Sequence, residues 1–244
     1  MTAAVEITTV VLDVEGTTTP IEFVYEVLFP FARAHAQGYL EANFRSPELG
    51  RILDELYEEY RTDVAQKLGP PLWPTVESLH SIAAYVQWLM ERDRKSTSLK
   101  WLQGRIWEQG YRAGALKGVV FDDVPVALER WSRLDRSVAI FSSGSVLAQK
   151  LLFAHSTAGD LTRFISAYFD TTLGPKTEAE SYRRLADAIG KPAGSIVFVS
   201  DATTELAMAR LASMRTVLSL RPGNRPQPDS CSYPQIRSLL EITD

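Results

Sequence analysis

The apolar run Val10-Val11-Leu12 stops abruptly at Asp13-Val14-Glu15-Gly16-Thr17-Thr18-Thr19-Pro20. Ile7 to Leu12 is rich in β-branched residues and carries no charge, which predicts a strand buried on both faces of a parallel sheet. Asp13 then stands at the strand's carboxyl end, the edge where open α/β sheets bind their ligands. Two carboxylates spaced two residues apart there can divide a reaction, with Asp13 attacking an electrophile and Glu15 handling the proton of the leaving group. Gly16 lets the backbone turn sharply, and the threonines offer N–H groups and hydroxyls to an anion. An ordinary acidic junction between strand and loop would read the same way, so the rest of the chain has to discriminate.

After Pro20 strand-like runs vanish for roughly a hundred residues and helical periodicity replaces them. Four helices are expected: Phe23 to Phe44 with a break or kink at Pro30, Glu48 to Lys67, Thr75 to Arg92, and Ser98 to Ala113. Trp88, Trp101 and Trp107 form an aromatic stripe that reads as core. From Asp123 the rhythm changes again. Helices are expected at Val124–Leu134, Val146–Ala154, Thr177–Ile189 and Thr203–Ala212, alternating with strands at Val138–Phe141, Ala167–Phe169, Ser195–Val199 and Thr216–Leu220. A breaker-rich loop from Arg221 then leads to a short helix near Tyr233 to Leu240. This alternation predicts an α/β fold, a doubly wound parallel (Rossmann-like) sheet core with an inserted all-helical cap domain. The expected division is 1–20 plus 121–244 for the core and 21–120 for the cap.

Composition narrows the partners. A net charge of -4 offers no basic footprint for nucleic acid or acidic membranes, and no run of apolar residues is long enough to span a bilayer. The start of the chain lacks the basic and apolar segments of a signal peptide, so a cytoplasmic location is expected. Cys231 is the single cysteine, which excludes an internal disulfide framework and a Cys-rich zinc site; it reads as an inert thiol.

Three predicted strand ends carry polar groups: Asp13 with Glu15, Ser142 with Ser143, and Ser200 with Asp201. A parallel sheet brings such ends to one edge. Ser142 and Ser143 precede a helix, where hydroxyls and free N–H groups of the first turn can hold a phosphate, or where the serines simply cap the helix. Lys176 follows Gly174-Pro175 just before a helix and could bring a point charge to the same phosphate, or lie solvated on the surface. Oxygens from Asp13, Asp201, a backbone carbonyl, phosphate and water would meet the octahedral demand of Mg²⁺. Glu205 could orient that shell, or merely favour the first turn of its helix. His35, His80 and His155 sit at no strand end and read as structural. Arg92 to Thr97 is the most polar turn of the insertion; Lys95 or Lys100 is a candidate to meet substrate there, against a solvated interhelical loop.

Asp13-Val-Glu-Gly-Thr, Ser142, Lys176 and Ser200-Asp201, in this order and with a helical insertion after the first, resemble the motif set of haloacid-dehalogenase-superfamily phosphatases. More narrowly, DVEGTTTPIEFVYEVLF (Asp13 to Phe29), RDRKSTSLKWLQG (Arg92 to Gly104), FSSGSVLAQKLLFAHST (Phe141 to Thr157) and Arg221-Pro-Gly-Asn are similar to the enolase-phosphatases of methionine salvage. Glutamate at the second acidic position is a mark of that family; Ala202-Thr203-Thr204 departs from the more apolar turn expected after Asp201. The resemblance implies a Mg²⁺-dependent enzyme, with one ion per chain held by Asp13, Glu15 and Asp201. Its substrate would be 2,3-diketo-5-methylthiopentyl 1-phosphate, enolised and then hydrolysed to the acireductone 1,2-dihydroxy-3-keto-5-methylthiopentene and phosphate. In that reading Asp13 is the nucleophile, Glu15 the acid and base, and Lys176 the cation facing phosphate. Ser142, Ser143 and Lys176 bind substrate, Glu205 supports the shell, and the cap encloses the methylthioalkyl tail. A monomer acting on a small-molecule phosphate is expected. The competing expectations are a plain Mg²⁺-dependent phosphatase of the same fold, a dehalogenase needing no metal, and a non-catalytic binding protein.

Overall fold

The structure, a computed structural model, describes residues 6–75, 78–92, 94 and 96–243. Lys95 lies outside the described residues, as do residues 76 and 77 near the start of the helix expected from Thr75. The chain forms two compact units: one holds residues up to Val24 and from Lys117 onward, the other Tyr25–Leu116.

The first unit is an α/β sheet of six parallel strands in the order β3-β2-β1-β4-β5-β6. These are β1 (Thr9–Leu12), β2 (Ser137–Phe141), β3 (Ala167–Phe169), β4 (Ile196–Ser200), β5 (Arg215–Ser219) and β6 (Gln235–Ile236). The helices α5 (Asp123–Arg133), α6 (Val146–Ala154), α7 (Ala179–Ile189) and α8 (Thr203–Leu211) connect or flank them. Every residue of β1 and β4 is buried, as their unbroken apolar character requires of strands covered on both faces. Each Val or Leu fully removed from water there contributes about 1.5–3 kcal/mol. The chain builds outward from β1 through β2 to β3, then returns to β1's other side with β4. The strand order therefore reverses between β1 and β4, and the crevice at that switch point is where the carboxyl ends carry Asp13, Ser200 and Asp201.

The segment expected as a short helix near Tyr233 to Leu240 is instead the edge strand β6 followed by a 3₁₀ turn at Leu239–Glu241. Open backbone groups on β5 decide this: the Leu218 and Leu220 N–H groups donate to the carbonyls of Pro234 and Ile236, both at 2.8 Å. Helical spacing of Ile236, Leu239 and Leu240 could not report a pairing partner so far back in the chain.

The second unit is helical throughout its regular elements among the described residues: a π-helical stretch at Phe23–Leu28 leads into α1 (Phe29–Asn43), followed by α2 (Pro47–Ala65), α3 (Leu79–Glu91) and α4 (Thr97–Arg112). The irregularity expected at Pro30 is displaced upstream, because Pro30 sits in the first turn of α1, where its missing N–H costs nothing. Ser46, Ser78 and Ser96 cap α2, α3 and α4 through their side chains. Leu40, Leu49, Leu56, Ile82, Val86, Leu89 and Leu102 form the centre, and Trp88 and Trp107 are buried while Trp101 is only half-buried. The Trp107 indole N–H donates to the Leu28 carbonyl at 2.8 Å, as a buried indole requires.

Candidate active site

Pairing in register sets the distances at the switch point. Leu12 stands beside Ile140 on one side and Val199 on the other, so the next residue, Asp13, leaves the sheet beside Phe141 and Ser200. Its own N–H still donates to the Val199 carbonyl at 3.0 Å, which fixes the carboxylate to the sheet edge. Beyond it the chain folds back tightly: the Thr17, Thr18 and Thr19 N–H groups all converge on the Val14 carbonyl, and Gly16 takes φ +66°. A side chain at Gly16 would collide with Asp201, since a Cβ there would lie 2.6 Å from Asp201 Oδ2 and 2.7 Å from Asn224 Oδ1. Gly16 is thus required by both the left-handed turn and the close approach.

Lys176 is buried rather than solvated. Its Nζ lies 2.6 Å from Asp13 Oδ1 and 2.6 Å from Glu205 Oε2, and 5.6 and 5.7 Å from the ring centres of Phe141 and Phe198. α7 holds the loop that carries it: the Ser181 hydroxyl donates to the Pro175 carbonyl at 2.7 Å, and the Tyr182 hydroxyl to the Lys176 carbonyl at 3.0 Å. Ser200, fully buried at the end of β4, donates to Glu205 Oε2 at 2.9 Å and lies 3.5 Å from Asp13 Oδ2. Asp13, Lys176, Glu205 and Ser200 therefore form one connected knot, with Asp201 next along the chain. Glu205 does more than favour the first turn of α8, because its carboxylate pairs with the Lys176 ammonium and accepts the Ser200 hydroxyl.

The electrostatics follow from crowding. Burial works against the Lys176 ammonium, but Asp13 and Glu205 outweigh it and hold the group charged well above its ordinary range. Burial, and then the neighbouring Asp13, push Asp201 up to about 7, with Glu15 adding to the repulsion. Glu205 is raised by burial and by Asp13. A set of carboxylates this crowded around one ammonium favours a second cation.

Ser142 is buried at the end of β2, and its Oγ accepts the Gly144 N–H at 3.2 Å, which leaves the hydroxyl hydrogen to donate elsewhere. Ser143 is exposed. Neither caps α6. Ser145 does, accepting the Ala148 N–H at 3.3 Å, so the polar run spends one serine on the helix and keeps the earlier two at its entrance. Glu15 is half-buried two residues beyond Asp13. Among the described residues no group of three His, Cys, Asp or Glu side chains converges as a metal cage.

Sequence reasoning missed the loop after β5. The Ser219 hydroxyl at 3.3 Å and Asn224 Nδ2 at 2.9 Å both donate to the Gly16 carbonyl, and Arg221 Nε donates to the Thr17 carbonyl at 3.1 Å. Arg221 is buried and also pairs with Asp123 at 2.9 Å, so the turn bearing Glu15 is clamped from a segment some two hundred positions later. The breaker-rich Arg221-Pro-Gly-Asn stretch was the visible signal, but it marked a loop without saying what the loop grips. Elsewhere, His35 bonds the Phe31 carbonyl within its own helix, and His80 and Cys231 are exposed. No helix among the described residues is long and apolar enough to cross a membrane.

Comparison with known proteins agrees with this geometry. The family model of haloacid dehalogenase-like hydrolases matches residues 7–213. Enolase-phosphatase E1 of Synechococcus elongatus is 50% identical over 224 residues, covering 92% of this chain and 93% of that protein. Enolase-phosphatase E1 of Drosophila mojavensis is 45% identical over 222 residues, covering 89% and 86%. Among solved structures, the UTR4 protein of Saccharomyces cerevisiae superposes with a TM-score of 0.79 at 32% identity, covering 97% of this chain and 100% of that one. With the acids, serine and lysine of the motif set brought to one sheet edge and relatives matched over nearly the whole chain, this protein belongs to the haloacid dehalogenase-like hydrolases and, within them, to the enolase-phosphatase family.

Proposed function

We propose that the chain is a Mg²⁺-dependent enolase-phosphatase, converting 2,3-diketo-5-methylthiopentyl 1-phosphate to the acireductone 1,2-dihydroxy-3-keto-5-methylthiopentene and phosphate. The observation that carries the phosphatase half is Lys176 held between Asp13 and Glu205 at 2.6 Å each, beside Asp201, at the switch point of the sheet. The enolase half rests on the relatives named enolase-phosphatase at 45 and 50% identity. The reading takes the enzyme as a cytoplasmic monomer acting on a small-molecule phosphate, with no nucleic-acid or membrane partner.

The residues present fit the metal. Mg²⁺ is commonly held by one or two carboxylates, with waters and substrate phosphate completing the octahedron, so Asp13 and Asp201 with a backbone carbonyl of the turn suffice without a third side chain. Asp201 Oδ2 lies against the Gly16 backbone, where only a glycine leaves room. When bound, the ion offsets charge on the phosphoryl oxygens and polarises the substrate carbonyl, which acidifies the adjacent C–H.

The chain's own groups then have distinct tasks. Asp13 attacks phosphorus in line, forming an acyl phosphate on its carboxylate. Glu15 protonates the departing oxygen and later draws a proton from the water that cleaves the acyl phosphate. Lys176, already bonded to Asp13, faces the equatorial oxygens as charge builds there, and Ser142 with Ser143 receives the phosphate at the entrance to α6. Glu205 keeps the lysine aimed without neutralising it by proton transfer, because Lys176 holds its proton so firmly.

The deciding assay supplies the dione phosphate and follows inorganic phosphate together with the ultraviolet absorbance of the acireductone. Both products should appear in step, and excess EDTA should stop phosphate release. Phosphate without enolisation would reduce the protein to a plain phosphatase, and full activity in EDTA would remove the metal from the reading.

A further inference from the structure

Asn224 presents an unusual combination at this edge. Its Nδ2 donates twice, to the Gly16 carbonyl at 2.9 Å and to the Ser219 carbonyl at 3.1 Å. Two carbonyl acceptors can be met only by the amide nitrogen, so the side chain has one possible orientation and the placement of Oδ1 is forced. That oxygen is buried and has no hydrogen-bond partner among the described residues. Buried amide oxygens left unmet cost roughly 1–3 kcal/mol, so a donor is expected to reach it. The nearest chemistry excludes a protein donor on one side: Asp201 Oδ2 and Asn224 Oδ1 lie 2.6 and 2.7 Å from the single point where a Gly16 Cβ would stand. The two oxygens are thus close enough for one water to bridge them, and in the magnesium reading Asp201 is an ionised ligand with no hydrogen to donate.

We propose that Asn224 is a positioning residue of the metal site, its Oδ1 accepting a hydrogen bond from a water bound to the Mg²⁺ that Asp13 and Asp201 hold. The assignment rests on the magnesium reading above and adds a residue from outside the strand-end motifs. It also gives the clamp after β5 a second purpose: one face of the amide fixes the turn that carries Glu15, and the other face orders the ion's hydration. Such outer partners typically tune metal affinity by about 10- to 100-fold.

The test measures Mg²⁺ binding by calorimetry on the full chain without substrate, so activity is not the readout. Asn224→Ala should weaken binding by at least about tenfold. Ser219→Ala, which removes another donor to the same Gly16 carbonyl but leaves Oδ1 in place, should keep the wild-type affinity. Equal losses in both variants would mean that Asn224 acts only through the turn, and no loss in Asn224→Ala would mean that Oδ1 is irrelevant to the ion; either result overturns the proposal. Absence of Mg²⁺ binding by the wild type would instead bring down the magnesium reading, and this inference with it. Should Asn224→Ala fail to fold, a crystal structure of the Mg²⁺-loaded wild type decides: a metal-bound water within hydrogen-bonding distance of Oδ1 is expected. An Oδ1 bound directly to the ion, or satisfied by protein alone, would refute the assignment.

Discussion

Each unit holds a buried cluster of acids and bases, and the two clusters are built on opposite principles. In the helical unit Asp63 is almost fully buried, and both its oxygens are used: Oδ2 accepts the Tyr85 hydroxyl at 2.7 Å and Oδ1 the Arg94 guanidinium at 2.9 Å. Arg94 also reaches Glu59 at 3.5 Å, whose other oxygen accepts the Ser96 hydroxyl at 2.6 Å, while Ser98 donates to Glu55 at 2.6 Å. Burial, and then the bond to Asp63, raise the Tyr85 phenol well above its usual range, so it stays a donor. That cluster closes on itself and ties α2 to the start of α4. At the sheet edge, by contrast, one ammonium serves Asp13 and Glu205, Asp201 is pushed up to about 7, and an amide oxygen has no donor among the described residues. A cluster made for folding satisfies its members; the one at the sheet edge keeps more carboxylates than ammonium groups, a surplus that a cation offsets in the function proposed above.

The contrast can be broken most sharply at Asp13. Asp13→Asn should abolish inorganic phosphate release, yet the variant at high Mg²⁺ should still exchange the substrate's C1 hydrogen with deuterated solvent or accumulate the enol phosphate by its absorbance. Continued phosphate release would show that Asp13 is not the nucleophile. Loss of both signals with metal bound would show that one carboxylate serves both steps. Next in size is Lys176→Met, expected to lower kcat by about two orders of magnitude or more, since its charge faces the transition state; an unchanged turnover number would make this knot as purely structural as the helical one.

In the helical unit the effect should fall on stability instead. Asp63→Asn retains an acceptor for Tyr85 but loses the charge facing Arg94, and should cost about 1.5–3 kcal/mol in denaturant unfolding while kcat per folded molecule stays at its wild-type value. A parallel loss of kcat would erase the distinction between the clusters. A pH-dependent effect sharpens it. With Asp201 raised from the ordinary 3.8 to about 7, the folded metal-free chain between those pH values holds a proton that the unfolded chain has released. Stability from this group is therefore present below about pH 4 and is lost as pH rises through about 7. Asp201→Asn lacks that proton, so in EDTA its melting temperature should gain on the wild type from pH 5 to about pH 7 and then level off, whereas parallel melting curves would count against the crowding of Asp201.

What the bare chain disclosed follows from range. Unbroken apolar runs ending in acids or serines are local signals, so β1, β2 and β4 and the residues just past them, Asp13, Ser142 and Asp201, were readable at once. Lys176 was readable as a candidate but not as a buried group, because nothing near it in sequence shows that Asp13 and Glu205 converge on its ammonium. The cap of α6 stayed open for a smaller reason: three serines within four positions, Ser142-Ser143-Gly144-Ser145, cannot reveal which hydroxyl meets the Ala148 N–H. β6 and the clamp made by Ser219, Arg221 and Asn224 were illegible, since both depend on strand pairing and carbonyl contacts far apart along the chain.

The clamp after β5 also bears on when the site comes into being. A ribosome makes Asp13 and its turn some two hundred residues before Ser219, Arg221 and Asn224, and even β4, which flanks β1, follows β1 by more than a hundred residues. Domains form as their chains emerge, but a parallel sheet cannot pair β1 with β4 before β4 exists. A chain that has not reached β4 therefore cannot bring Ser200 and Asp201 beside Asp13, and one that stops before Ser219 lacks the clamp on the Gly16 and Thr17 carbonyls. Nascent chains stalled before Ser219 should accordingly show no Mg²⁺-protected protease resistance at the Gly16 turn, and completed ones should gain it in one step.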